Sequence, residues 1–172
     1  MVSNGLIKKI LASYPLAIDG RHGPAHWARV YENGLRLAEI TGAKIEVVAI
    51  FAVMHDCRRT TESKNYHHGQ NAADFAFTLR GSELQLGPDD FRLLYTACAG
   101  HAEGGTEGDI TVQTCWDADR LDLARAGITP DPKKMCTAAA RDADLIEWAS
   151  QRALADFRPA ILGEWLAASS AR

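Results

Sequence analysis

The stretch Val47-Val-Ala-Ile-Phe-Ala-Val-Met54-His55-Asp56 holds eight consecutive apolar residues followed at once by an imidazole and a carboxylate. It shows neither the alternation of a half-buried strand nor the one-sided stripe of a surface helix. It is apolar all round, as an element enclosed by others is. A buried strand and a buried helix both fit such a run, and the β-branched Val and Ile weigh modestly toward the strand. Length and neighbours favour the helix: with its polar ends the segment runs from Lys44 to about Arg58, and the segments on either side are helical in pattern.

Upstream, Trp27, Val30, Tyr31, Leu35 and Ala38 fall at offsets 0, 3, 4, 8 and 11. That spacing predicts a helix over residues 24–40 with one apolar face, and Pro24 suits its first turn. Downstream, a helix is predicted over 71–80, ending at Gly81. Another is predicted from Pro88 to about Gly100, with Asp89 and Asp90 in its first turn, where carboxylates complement the helix dipole. A fifth is expected over about 116–126, stopping at Gly127. The alanine-rich tail from Lys133 supplies one or two more, broken near Pro159. No segment has a convincing period of two, so the expected fold is an all-α bundle of about six to eight helices.

The chain has 172 residues, 47% of them hydrophobic, which suits one domain with a substantial core. The expected division is an N-terminal helix and loop over 1–21, a core over 22–127 and C-terminal helices over 128–172. Nineteen Lys+Arg face 22 Asp+Glu for a net charge of -3, so there is no basic field for a polymeric nucleic acid. Cys57, Cys98, Cys115 and Cys136 are scattered without a C-x-x-C pair, which points to a reducing compartment. No export signal is evident, and the run 47–54 is far short of the roughly 20 residues that span a bilayer. A cytoplasmic protein with no membrane partner is expected. Trp148, Leu154, Phe157, Ile161, Trp165 and Leu166 in the tail either finish the core or form a homodimer face.

The chemistry lies where titratable groups interrupt apolar segments. Asp56 follows the best-buried helix, and an unpaired buried carboxylate is strongly disfavoured. It needs a cation, several donors or a cavity wall; Arg58, Arg59 or a helix dipole are the bland partners. Asp117 shares a helical face with Leu121 and Ala124, which aims a second carboxylate inward. His26 sits at the edge of the apolar stripe, either as an ordinary hydrogen-bonded core residue or as completion of the cluster. An imidazole and carboxylate set suits a first-row divalent ion.

Together these residues resemble the HD-domain superfamily of metal-dependent phosphohydrolases. The order is His, then His-Asp, then Asp, each on a different helix. The local context matches as well: His26-Trp-Ala-Arg29-Val30, then Val-Met-His55-Asp56, then Trp116-Asp117-Ala-Asp119-Arg120-Leu121. The likeness covers about residues 22–127. It implies an HD-domain-like bundle and a divalent ion (Mn, Fe, Co, Ni or Zn) held by His26, His55, Asp56 and Asp117. The implied activity is hydrolysis of a phosphate ester or anhydride of a small nucleotide-like substrate by metal-activated water, which Asp56 or a nearby acid also orients. The alternative it leaves is a non-catalytic module that senses a nucleotide or a metal.

Members that hold a second ion use two further histidines between the His-Asp pair and the last Asp, and His68 and His101 fall in that interval. They are otherwise helix-end residues, phosphate contacts or a general acid. Arg29, Arg58, Arg59 and Arg120 are the guanidinium groups available for a phosphate. Arg29 and Arg120 are the preferred pair, one helical turn from His26 and Asp117.

Overall fold

Residues 47–54 form a helix in the computed structural model of the chain, which describes residues 2–170. Among those residues there are eight α-helices: α1 Asn4–Ala12, α2 Pro24–Thr41, α3 Ile45–Met54, α4 His68–Thr78, α5 Pro88–Gly100, α6 Ile110–Arg120, α7 Ala143–Leu154 and α8 Ala160–Ser170. The sole β feature among them is an isolated bridge between Arg80 and Leu84. The expected all-α bundle is the architecture observed.

The uniform apolarity of α3 follows from its place. Every residue from Val47 to Met54 is buried, enclosed chiefly by α2, α5 and α6, with α1 and α4 also in contact. Trp27 and Leu37 of α2, Leu94 and Cys98 of α5, and Cys115 and Ala118 of α6 belong to the same hydrophobic cluster. Each large side chain buried there contributes about 1.5–3 kcal/mol. The closest approach is at Gly34, where a Cβ would lie 2.5 Å from Val48 Cγ1 and 3.4 Å from the Ala118 Cβ. Glycine lets α2 drop between α3 and α6, which brings three site-bearing helices together.

Several boundaries differ from the sequence pattern. The helix α3 stops at Met54, so His55 caps it and Asp56 lies in the turn beyond. α4 starts at His68 rather than Asn71 and ends at Thr78, ahead of Gly81. α6 starts at Ile110 rather than Trp116 because Asp109 caps it, accepting from the Thr111 N–H at 2.8 Å; it ends at Arg120, and a 3-10 turn over Leu123–Ala126 follows.

The tail is helical on either side of the expected break near Pro159. α8 packs on α1, and Trp165 is buried edge-on against Tyr31 at 5.7 Å, whereas Leu154 and Phe157 are exposed. The tail thus helps to close the core. The outer ends of the first and last expected segments, residues 1 and 171–172, lie outside the described residues. No helix among the described residues is long and apolar enough to cross a membrane, and the four cysteines are free thiols.

Candidate metal centre

Five helix ends deliver the site. His26 is in the first turn of α2, His55 caps α3 with Asp56 next to it, His68 opens α4, His101 caps α5 and Asp119 sits in the last turn of α6. The four histidines and Asp56 are buried. Gly69 permits the crossing of α4 on α5 that joins His68 to His101: a Cβ there would lie 2.6 Å from the Cys98 carbonyl oxygen and 3.2 Å from His101 Nδ1.

The tautomers follow from the outer hydrogen bonds. His26 Nδ1 is 2.7 Å from Asp122 Oδ2, and His55 Nδ1 is 3.1 Å from the Ala52 carbonyl. His68 Nδ1 is 2.6 Å from the Asn65 carbonyl, and His101 Nδ1 is 2.8 Å from the Cys98 carbonyl. All four acceptors are oxygens without hydrogens, so each Nδ1 carries the proton and donates it. In a neutral ring so oriented, Nε2 carries the lone pair.

Those lone pairs point at one another. His26 Nε2 is 3.0 Å from His55 Nε2, and His68 Nε2 is 2.9 Å from His101 Nε2. Asp56 stands between the pairs. Its Oδ2 lies 3.7 Å and 3.8 Å from His26 and His55, and its Oδ1 lies 3.2 Å and 3.6 Å from His68 and His101. Asp119 Oδ1 adds a second carboxylate to the first pair, 3.4 Å from His26 and 3.7 Å from His55. Asp56 Oδ1 and Asp119 Oδ1 are buried with no hydrogen-bond partner.

Facing lone pairs and unpartnered carboxylate oxygens are repulsive without positive charge between them. Burial pushes His55 down to about 3, well below the ordinary imidazole range, so that ring brings no second proton to the first pair. A divalent cation meets the need. His26, His55 and Asp56 form one group that could hold an ion, and Asp56, His68 and His101 form another. Nitrogen and carboxylate donors suit Mn, Fe, Co, Ni or Zn and do not choose among them.

Electrostatics keep the carboxylates ionised. Burial opposes ionisation of Asp122, but the hydrogen bond from His26 and the pairing with Arg29 outweigh it and hold the carboxyl below its usual range. For Asp119, burial again opposes, and His26, His55 and Arg125 together lower the value.

No family model, curated protein or solved structure matches the chain.

Three expected site residues are placed elsewhere. Asp117 is fully buried, but its carboxylate accepts from the Cys136 N–H at 2.7 Å, the Thr137 N–H at 2.8 Å and the Thr137 hydroxyl at 2.8 Å. It anchors the segment after α6, and Asp119 takes the expected place beside the histidines. Residues two apart on a helix are about 200° apart around its axis, so the two acids face opposite ways.

Arg29 is committed to Asp122 (Nε to Oδ1, 2.8 Å), Asp156 and the Phe157 carbonyl, and has no free edge for a phosphate. Arg120 donates to the Lys134 and Gly105 carbonyls, tying the glycine loop to the segment after α6. Arg58 donates to the Ser13 carbonyl and lies over the Phe75 ring. His26, His55, Asp56, His68 and His101 are brought together.

Asp122 was not singled out by its pattern, and Arg59 stood only as one of four available guanidinium groups. Asp122 lies in the turn just beyond α6, where its N–H donates to the Asp119 carbonyl at 2.9 Å and so keeps the two acids close. Arg59 NH1 lies 3.2 Å from His68 Nε2 and 3.6 Å from Asp56 Oδ1. His22 Nδ1 meets Glu62 Oε2 at 2.6 Å beside the site. An open cleft of about 1000 Å³ begins at Arg59 and His68 and is walled by Tyr66, Tyr95, Glu103 and Trp116.

Proposed function

We propose that the chain is a metal-dependent phosphohydrolase of the HD type, cleaving a phosphate ester or anhydride of a small nucleotide-like substrate. The observation that carries the reading is Asp56, whose two oxygens address two separate histidine pairs. The chain order His26, His55-Asp56, His68, His101, Asp119 supports it as well, since moving the last acid from Asp117 to Asp119 keeps it within the same Asp-Ala-Asp-Arg-Leu stretch.

In this reading His26, His55, Asp56 and Asp119 hold one divalent ion, and His68, His101 and Asp56 hold a second. Bound there, such ions would polarise a phosphoryl oxygen and lower the pKa of the attacking water. Asp122 keeps His26 in its ligand tautomer, and main-chain carbonyls do the same for the other three histidines. His68 and His101 act as holders through their Nε2 atoms, which face each other across 2.9 Å. The cleft, at about 1000 Å³, lies at the upper end of small-molecule sites and has room for a nucleotide-sized group beyond the reacting phosphate.

The test is turnover of nucleoside mono- and triphosphates by purified protein with Mn²⁺, Co²⁺ or Ni²⁺. Phosphorus NMR separates phosphate release from pyrophosphate release. Asp56→Ala is expected to abolish turnover; full activity in that variant at full metal content would overturn the reading.

A further inference from the structure

We propose that Arg59 is the oxyanion-binding residue of this centre, taking the substrate's phosphate as it enters from the cleft beside His68. The inference rests on the phosphohydrolase reading for the identity of its ligand. Its geometry stands independently.

A phosphate needs a donor that is cationic, near the carboxylates and histidines, and open to the cleft. Arg29 and Arg120 fail because carboxylates and carbonyls already occupy their donors, and Arg58 is turned toward Ser13 and Phe75. Arg125 lies near Asp119 but donates to the Arg21 and Asp122 carbonyls and does not line the cleft. Lys64 lines the cleft, yet its ammonium rests over the Tyr66 ring at 4.6 Å.

Arg59 satisfies all three conditions. Its Nε donates to the Thr61 carbonyl at 3.0 Å and its NH2 to the Ser63 carbonyl at 2.8 Å, which fixes the guanidinium plane. Its NH1 is directed at the centre, where it meets His68 Nε2 and Asp56 Oδ1. Those two atoms are the ones an ion would engage. With His68 and Asp56 acting as ligands, NH1 is a nearly buried cationic donor in need of an acceptor, and the adjoining cleft is the route by which an oxyanion arrives. The carbonyl-held plane distinguishes it from a lysine, which would bring a point charge without orientation.

The experiment titrates inorganic phosphate into manganese-loaded wild type, Arg59→Met and Arg59→Lys by calorimetry, with bound manganese counted by mass spectrometry on the same samples. Loss of a charged hydrogen bond predicts about 10- to 100-fold weaker phosphate binding in Arg59→Met and a smaller loss in Arg59→Lys, with unchanged manganese in both. Phosphate affinity within twofold of wild type in Arg59→Met at full manganese content would overturn the proposal. Loss of manganese from both variants would also overturn it, by assigning Arg59 to holding the loop over 59–68. Arg59-dependent phosphate binding by a protein that hydrolyses no phosphate compound would uphold the oxyanion site while the hydrolase reading failed.

Discussion

Replacing Asp117 and Asp119 one at a time should give opposite results, although the two acids are separated by a single alanine. Asp117→Ala removes the acceptor of three hydrogen bonds, from the Cys136 N–H, the Thr137 N–H and the Thr137 hydroxyl. Each donor left without a partner costs about 1–3 kcal/mol, and with incomplete additivity the loss is on the order of 3–5 kcal/mol. That is a large share of the roughly 5–15 kcal/mol that holds an ordinary domain. Asp117→Asn, which keeps one acceptor oxygen, should lose less.

Asp119→Ala removes a carboxylate whose Oδ1 has no hydrogen bond, and whose nearest cation, Arg125 NH2, is 3.9 Å away. Its stability in EDTA should fall by only about 1 kcal/mol, since what is lost is ion pairing with Arg125 and the neighbouring histidines rather than a set of three hydrogen bonds. Its metal binding at the His26–His55 pair should be lost. The assay is urea unfolding in EDTA alongside metal content and metal-dependent turnover per folded molecule, run at a temperature where Asp117→Ala is folded. A stable Asp117→Ala that no longer binds metal, paired with an Asp119→Ala that binds it normally, would refute the assignment.

Asp122→Ala should weaken the first ion about 10- to 100-fold while sparing the second, because among the four histidines only His26 bonds that carboxylate; metal titration followed by counting would read this. Gly69→Ala should destabilise by about 1–3 kcal/mol in chemical denaturation and reduce metal at the His68–His101 pair, since the added Cβ meets the Cys98 carbonyl at 2.6 Å. Burial raises the Cys98 and Cys115 thiols well above 9, so the unfolded chain ionises them first. Stability should therefore fall as pH rises above about 9, by about 1.4 kcal/mol per pH unit per thiol, and Cys98→Ala with Cys115→Ala should flatten that slope.

The fold was legible where one physical signal dominated. The all-apolar run 47–54 could only be enclosed, and Pro88 with Asp89 and Asp90 marked the start of α5 without ambiguity. α6 was misjudged because its cap, Asp109, lies in a glycine-rich stretch that reads as loop. Starting the helix late and carrying it past Arg120 aligned Asp117 with Leu121 and Ala124 on a face that the chain does not continue. The true partner of Asp117, the Cys136–Thr137 backbone, comes from a distant irregular segment with no periodicity to announce it.

The histidines were legible as types and spacings. Their tautomers were not, since these depend on which carbonyl each Nδ1 meets after folding. Which arginine directs a donor at the centre was not legible for the same reason. Proximity in sequence favoured Arg29 and Arg120, but a guanidinium is defined by its acceptors, and both had found them elsewhere.

The most direct test of the shared site is the number of ions bound per chain in wild type and in Asp56→Ala, measured by anomalous diffraction at the metal edge with mass-spectrometric counting in solution. The account predicts two ions in wild type, one against His26 and His55 and one against His68 and His101, and severe loss of both in Asp56→Ala. Asp56→Ala retaining both ions at wild-type occupancy, or a wild-type ion bound away from these histidines, would contradict it.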